Sequence, residues 1–196
     1  MRTIDLATWP RRKHFHFFNS FDYPLFNLSF SVEITALRRA AQDRGRPFTV
    51  ALVYLLARAA NDVPEFRQRI RQQDVVEHEV VHPSIIVPAP DDLFSFCLIP
   101  YCPAFSAFAA QAAQRMAAAS EHPTLEDEAG HDDLLFLTGI PWIAFSGVQH
   151  PIQRAPVDSV PRIAWGRFHT VEGRLEMPLA IQAHHALMDA LHIGRF

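Results

Sequence analysis

The sequence predicts one domain of the α/β or α+β class. Segments with the two-residue alternation of strands and segments with the helical spacing of about 3.6 residues follow one another along the chain. Neither an internal repeat nor a low-complexity linker interrupts its 196 residues, so we expect a single domain over residues 1–196. Hydrophobic residues account for 49% of the chain and charged residues for 20%, proportions typical of a globular protein with one buried core.

The first half of the chain predicts a strand, two helices and then a group of strands. Alternating apolar residues predict the first strand over residues 24–32, with Phe26 and Leu28 among the side chains of one face. Helical spacing predicts helices over residues 34–43 and 48–60, and a proline follows each of them. Further strands are predicted over residues 75–81, 85–87 and 93–99.

The second half of the chain predicts a helix, a loop, more strands and a last helix. Residues 105–120 are rich in alanine, which favours a helix, and the acidic residues within 121–133 indicate a surface loop. The last helix begins near Leu187 and has room for only a few turns before Phe196, so we expect it to be short or truncated. The strands are predicted over residues 134–137, 142–146, 163–168 and 175–184.

Composition and charge exclude several classes of function. The net charge of −3 provides no basic surface for nucleic acid. The sequence has no apolar run of about 18 residues, so we expect no membrane span, and the N-terminus lacks the apolar core of a secretory signal. The two cysteines, Cys97 and Cys102, form neither a disulfide framework nor a zinc motif, which favours reduced thiols in the cytoplasm.

The segment MPLAIQAHHALMDALHIGRF, residues 177–196, carries the strongest chemical signal. Strand alternation places Ile181, Ala183 and His185 on one face and His184 on the other, so the two histidines should point in opposite directions. His185 ends an apolar face, where burial disfavours the charged imidazolium. A neutral imidazole can take a proton from a hydroxyl or a thiol, so we expect His185 to be a general base.

Other interpretations of these residues stay open. A histidine at the end of a strand is often a hydrogen-bonded core residue. If the segment were helical throughout, His185, Asp189 and His192 would share one face and could bind zinc or iron; the alternation before His185 argues against this, and we expect no metal. A buried Asp189 needs a cationic partner, which spacing alone does not identify. Nucleotide-binding and serine hydrolase motifs are missing from the sequence.

Residues 184–189 (HHALMD) resemble the H-H-x-x-x-D-G signature of the chloramphenicol acetyltransferases and of the wider superfamily that includes dihydrolipoyl acyltransferases and peptide-synthetase condensation domains. The likeness runs nearly from end to end and is closer to the chloramphenicol enzymes than to the others. Further segments that resemble this family are 9–15 (WPRRKHF), 63–67 (VPEFR), 81–83 (VHP), 141–145 (PWIAF) and 177–182 (MPLAIQ).

The resemblance implies a fold, a reaction and roles for three residues. The fold is a two-layer α/β sandwich with a mixed sheet, assembled as a homotrimer with active sites between subunits. His185 is the base that deprotonates the hydroxyl of a small acceptor, which then attacks the thioester of acetyl-CoA, a cosubstrate and not a bound cofactor. Asp189 is structural and pairs with Arg11, which supplies the cation that its burial requires.

Several positions depart from the family pattern. The serine whose hydroxyl bonds the oxyanion corresponds to Gly147, with Ser146 one place earlier; neighbouring strand residues face opposite ways, so Ser146 is no simple substitute. A threonine near the intermediate corresponds to Ala164, and the glycine after the aspartate to Ala190. Phe168 falls where the family places an aromatic residue against the coenzyme, although core packing explains a phenylalanine equally well.

Three functions are compatible with these residues and with the resemblance. The first is a chloramphenicol O-acetyltransferase, with chloramphenicol resistance as its consequence. The second is an acyltransferase of the same fold with a different acceptor, which the loss of polar groups at Gly147 and Ala164 favours. The third is a catalytically weak homologue that acts as a binding or assembly protein; the presence of His185, Asp189 and Arg11 together argues against it, because an inactive site has no need of them.

Overall fold

The computed structural model describes residues 1–125, 131–153 and 158–196. The helices of the described residues are α1 (Arg12–Phe18), α2 (Thr35–Asp43), α3 (Phe48–Asp62), α4 (Phe105–Glu121) and α5 (Ala190–Arg195), with a 3₁₀ turn over Pro64–Arg67. Their strands are β1 (Arg2–Thr3), β2 (Leu25–Glu33), β3 (Gln68–Arg71), β4 (Asp74–Glu77), β5 (His82–Pro88), β6 (Phe94–Leu98), β7 (Leu134–Ile140), β8 (Arg162–Gly166), β9 (His169–Val171) and β10 (Arg174–His184).

The larger sheet is mixed, as the sequence predicts. It has seven strands, six of them in the order β2-β10-β8-β7-β5-β6, while β9 pairs with β10. Strands β5, β7 and β8 run parallel to one another, and β10 is antiparallel to both of its long neighbours, β2 and β8. Helices α2, α3 and α4 pack on this sheet, and the main hydrophobic core lies between them and it. The two-layer α/β prediction is confirmed.

A small second sheet supports the C-terminal end of β10. It has the order β1-β4-β3, and its residues Ile70 and Val75 form a buried cluster with Phe15 of α1. Ala186 and Leu187, which directly follow β10, complete this cluster. Both are almost fully buried, so apolar packing against the small sheet and α1 fixes the turn after β10.

Most predicted elements are confirmed, and one strand is wrong. Residues 142–146 form no strand: β7 already ends at Ile140, and Pro141, which follows, has no amide hydrogen for a ladder. Trp142 is 71% exposed and Ile143 58% exposed, so this apolar run does not enter the core. The predicted loop over 121–133 lies partly outside the described residues, at 126–130.

Several element boundaries also differ from the sequence prediction. The strand predicted over 75–81 ends at Glu77, because the chain leaves the small sheet there and enters the larger one at His82. The strand predicted over 163–168 ends at Gly166, and a separate short strand, β9, begins at His169. The last helix begins at Ala190 and not near Leu187, because residues 185–187 form a turn. No helix among the described residues has the length and apolar character to cross a membrane.

Candidate active site

The two adjacent histidines lie at the end of β10 and in the turn that follows it, and they point to opposite faces of the sheet. β10 pairs with β2 so that Ala183 lies beside Phe26 and His184 beside Leu25. Paired residues of antiparallel strands point to the same face. Leu28 and Leu179 of the Phe26 face line one hollow with residues of α3, so this is the helix-covered face. His184 therefore points to the other face, and the ring of His185 packs against Phe26 on the helix side.

Two aromatic rings and two backbone groups fix His185. Its ring stacks on Phe18 with the centroids 3.9 Å apart, and it contacts Phe26 at 4.7 Å. Its amide donates to the carbonyl oxygen of Pro24 at 2.7 Å, and its Nδ1 lies 3.1 Å from the carbonyl oxygen of Met188. A carbonyl oxygen can only accept, so Nδ1 carries the hydrogen, and in the neutral ring Nε2 is then the nitrogen with the free lone pair. The side chain thus presents one basic nitrogen in a defined direction.

Arg11 holds the backbone of the same turn. Its guanidinium donates to Asp189 Oδ2 at 2.8 Å, to the carbonyl oxygen of His185 at 2.8 Å and to that of Ala186 at 3.1 Å. The side chain of Arg11 is only 12% exposed. Arg11 immediately precedes α1 and Phe18 ends it, so a residue at each end of this short helix contacts the turn. The helix was not predicted from the sequence. Its sequence gives no clear signal because Phe15 is its one buried residue.

Asp189 links the turn to α5. Its carboxylate caps the helix by accepting from the amide of Leu191, and its own amide donates to His192 Nδ1. Burial opposes ionisation of Asp189, but the hydrogen bond from Arg11 and the nearby charges of His192 and Arg11 outweigh it and lower the pKa. Ala190 is the first residue of α5, where a side chain is readily accommodated.

The metal hypothesis for His185, Asp189 and His192 lacks its geometric basis. His185 precedes α5, so the three side chains do not share one helical face. His192 instead lies with Nδ1 2.9 Å from Asp189 Oδ1 and with Nε2 3.4 Å from Glu65 Oε1. Within residues 1–125, 131–153 and 158–196, no group of three or more potential metal ligands is found.

His184 is a buried neutral residue. It is 2% exposed, and burial lowers its pKa to about 4. Its Nδ1 accepts from the amide of Ala186 at 3.3 Å, so the hydrogen is on Nε2, which is buried with no partner among the described residues. His184 therefore stabilises the turn and does not lie beside the reactive face of His185.

Gly147 lies on the face of the sheet that His185 does not face. The segment after Ile140 crosses this face and is held there by side chains: Asn27 donates to the carbonyl oxygen of Val148, and Gln182 bonds both backbone groups of His150. Asn27 and Gln182 are paired neighbours on β2 and β10. Ser146 is exposed, and no side-chain hydrogen bond of its hydroxyl is found among the described residues.

Ala164 lies in a row of small side chains that crosses the same face. Its neighbours in register are Ala180 on β10 and Thr138 on β7, and Ala180 is in turn paired with Ser29 on β2. Ala164 and Ala180 are buried, so the methyl groups form the middle of the row. The hydroxyls of this row are therefore at its two ends, on Ser29 and Thr138.

An open concavity of about 1190 Å³ continues from this row across β7, β5 and β6. Its walls include Phe94, Phe96 and Phe136, and its polar residues include His150 and Arg162. The Arg162 guanidinium lies 5.1 Å from the Phe136 ring centroid and is also paired with a carboxylate of the chain, that of Asp158. These phenylalanines could not be singled out from the sequence, because they come from two strands, β6 and β7, that are far apart along the chain.

Phe168 packs against polar and apolar neighbours beyond β8. Its ring is 6.1 Å from that of Phe48, and the Arg38 guanidinium lies 5.5 Å from both ring centroids. β8 is antiparallel to β10, so Phe168 lies toward the N-terminal end of β10, whereas His185 follows its C-terminal end. His169, next to Phe168, pairs with Glu176, nine residues before His185, so at about 3.4 Å per residue the two places are roughly 30 Å apart.

Comparisons with known proteins agree on one family. The family model for chloramphenicol acetyltransferase matches residues 1–196. Chloramphenicol acetyltransferase 2 of Escherichia coli is 30% identical over 196 residues, which cover 98% of this chain and 92% of the relative. The chloramphenicol acetyltransferase of Streptomyces acrimycini is 31% identical over 195 residues, covering 98% and 89%.

Solved structures show the same relationship. A chloramphenicol acetyltransferase superposes with a TM-score of 0.88 at 26% identity, covering 99% of this chain and 94% of the other. A probable dihydrolipoamide acetyltransferase from Listeria monocytogenes shares the fold, with a TM-score of 0.67 at 17% identity over 100% of this chain and 90% of the other. The chain therefore belongs to the chloramphenicol acetyltransferase family.

Proposed function

We propose that this enzyme transfers the acetyl group of acetyl-CoA to a hydroxyl of a small acceptor, with chloramphenicol as the first acceptor to test. The observation that carries the proposal is the setting of His185. Its Nδ1 is tied to the carbonyl oxygen of Met188, which leaves Nε2 as the basic nitrogen, and Arg11 holds the turn on which it lies. An oriented neutral imidazole is the group that acyl transfer to a hydroxyl requires.

The reaction uses one base twice. Nε2 of His185 takes the proton of the acceptor hydroxyl as its oxygen attacks the thioester carbonyl carbon, and the carbonyl oxygen becomes an oxyanion. The tetrahedral intermediate then collapses, the carbon–sulfur bond breaks, and the coenzyme thiolate takes the proton from the imidazolium. The products are the acetyl ester and free coenzyme A, and the histidine is again neutral.

Two regions distant from His185 fit the two substrates. Phe168 with Arg38 offers an aromatic face beside a cation, a combination suited to the nucleotide end of a coenzyme. The aromatic concavity with Phe94 and Phe136 suits the apolar body of an aromatic acceptor. A cytoplasmic location is part of the proposal, since Cys97 and Cys102 are free thiols and acetyl-CoA is an intracellular metabolite.

The proposal includes a homotrimer with active sites between subunits. Within one chain, His185 faces the helix side, while Gly147 and the acceptor concavity lie on the opposite face of the sheet. A site that contains both the base and the groups of this opposite face therefore needs His185 from a second copy of the chain. Large exposed apolar side chains, among them Trp142 and Phe94, supply surface that such an assembly would bury.

The first experiment measures free thiol release from acetyl-CoA in the presence of chloramphenicol. We expect turnover by the wild type and a loss of several orders of magnitude in His185→Ala, because the base is removed. His14→Ala, a change at an exposed histidine, is the matched control and should keep wild-type turnover. Equal turnover by wild type and His185→Ala would refute the general-base assignment, and no turnover with any acceptor would favour a binding protein.

The second experiment tests where the sites lie. His185→Ala removes the base and Gly147→Phe obstructs the opposite face, so each variant alone should be inactive. If the sites lie between subunits, co-expression of the two variants should restore part of the activity, since some sites then combine two intact halves. Light scattering should give the mass of a trimer. A monomeric mass with full activity would overturn this part of the proposal.

A different acceptor is the alternative that one observation favours. Arg162 brings a guanidinium to the wall of the acceptor concavity, although it is paired there with Asp158. A panel of acceptors with and without an acidic group distinguishes the two functions. A higher kcat/KM for an acidic alcohol than for chloramphenicol would establish the alternative.

A further inference from the structure

Gly147 leaves the oxyanion without the hydroxyl that the family pattern places there. The backbone at Gly147 is not in the left-handed region, so a side chain would be tolerated, and its absence leaves open space. A transition state that places negative charge on the thioester oxygen still needs a hydrogen-bond donor nearby. Removal of one such donor typically lowers kcat by about 10²–10³. An active enzyme therefore needs a donor from elsewhere in this region.

Ser29 is the nearest side chain to the empty position. A Cβ built on Gly147 would lie 4.0 Å from Ser29 Oγ, and no other atom of the described residues, apart from the immediate chain neighbours, lies within that distance of it. Ser29 is exposed on β2 and makes no side-chain hydrogen bond within the described part of the chain, so its hydroxyl is available as a donor.

The position of Gly147 beside Ser29 is fixed by the packing of its segment on the sheet. Asn27, two residues before Ser29 on the same face, holds the carbonyl oxygen of Val148, and Gln182 holds His150. These contacts join the loop to β2 and β10, the two strands that carry Ser29 and its paired neighbour Ala180. The small side chain of Ala180 leaves the space beside the Ser29 hydroxyl open.

We propose that the Ser29 hydroxyl donates the hydrogen bond to the oxyanion that a side chain at position 147 would otherwise supply. This inference rests on the proposed acyl transfer. When the acceptor oxygen attacks the thioester carbon, the negative charge develops on the carbonyl oxygen, and the hydroxyl of Ser29 stabilises it without transferring its proton. The proton of the acceptor still goes to His185, which in the proposed assembly belongs to a second copy of the chain, and later to the thiolate of the coenzyme. The oxyanion donor is thus moved from a loop to the neighbouring strand.

The test is a double-mutant cycle between Ser29 and Gly147, read in kcat. The isosteric pair Ser29→Thr and Ser29→Val differs in the hydroxyl alone, and both residues suit a strand. We expect Ser29→Thr to keep most of the rate and Ser29→Val to lose a factor of about 10²–10³, with little change in KM. In the Gly147→Ser background, the loss caused by Ser29→Val should shrink to about threefold or less, because the second hydroxyl takes over.

The outcomes separate this inference from the proposed function. Equal kcat for the Thr and Val variants, or the same loss in both backgrounds, would overturn the role of Ser29 while leaving acyl transfer intact. An inactive wild type, or an active His185→Ala, would overturn the proposed function itself. Ser31→Ala is the matched control: Ser31 lies on the same face of β2 but donates to Glu176 at 2.6 Å, and its loss should leave kcat unchanged.

Discussion

Arg11→Lys keeps a positive charge but cannot reproduce the planar set of donors that reaches three acceptors. The single ammonium group of the lysine can keep the contact to Asp189, but it then loses the hydrogen bonds to the carbonyl oxygens of His185 and Ala186. A hydrogen bond from a charged donor contributes about 1.5–3 kcal/mol. Since water can solvate part of the two carbonyl groups, we expect the free energy of unfolding to fall by about 2–4 kcal/mol.

The same change should affect catalysis beyond stability. Both lost bonds end on the backbone that carries the His185 ring, and a displacement of about 1 Å of a reacting group can cost 10²-fold in rate. We expect kcat to fall by about 10–100-fold while KM for acetyl-CoA changes little, because the region proposed for the coenzyme, around Phe168, is distant from Arg11. Urea unfolding gives the stability, and thiol release, measured where the variant is fully folded, gives kcat.

The exposed neighbour Arg12 provides the control, since Arg12→Lys makes the same chemical change away from the turn. It should leave both the free energy of unfolding and kcat close to the wild-type values. The reasoning on Arg11 is refuted if Arg11→Lys keeps wild-type kcat, or if kcat falls only in proportion to the folded fraction.

Three further predictions concern the buried residues His184 and Arg69 and the residue Phe168. The lowered pKa of His184 means that the unfolded chain binds a proton between pH 6.5 and about 4 that the folded chain does not. The contribution of His184 to the free energy of unfolding is therefore at its maximum above pH 6.5 and falls by about 1.4 kcal/mol per pH unit between pH 6.5 and about 4. His184→Gln should remove that slope in urea unfolding. Arg69 is fully buried, donates to four carbonyl oxygens and has a pKa lowered by burial to about 10. Arg69→Met should therefore lower the free energy of unfolding by about 3–5 kcal/mol, because it leaves these carbonyl groups without their donor. A loss below 1 kcal/mol in urea unfolding would contradict this. Phe168→Ala should raise KM for acetyl-CoA about tenfold at unchanged KM for the acceptor, whereas a lower melting temperature with both constants unchanged would indicate core packing alone.

Local patterns in the sequence predicted most of the secondary structure. Helices α2, α3 and α4 and the strands β2, β6 and β10 agree with the prediction to within about two residues, because each has a clear apolar face. The missed elements lack such a face: α1 buries Phe15 alone, and β3 has four residues. The wrong strand over 142–146 is apolar but lies on the surface, and sequence alternation does not distinguish a buried face from an exposed one.

By itself, the sequence determined the fold class and the opposite directions of His184 and His185, because both follow from spacing along one strand. Only the tertiary structure decided which groups meet across the chain. The carbonyl oxygen that orients His185, the separation of His185 from Gly147 on two faces of one sheet, and the approach of Ser29 to Gly147 all depend on how the chain folds back on itself. Such contacts depend on strand order and on side chains that hold a loop, and neither is a local property of the sequence.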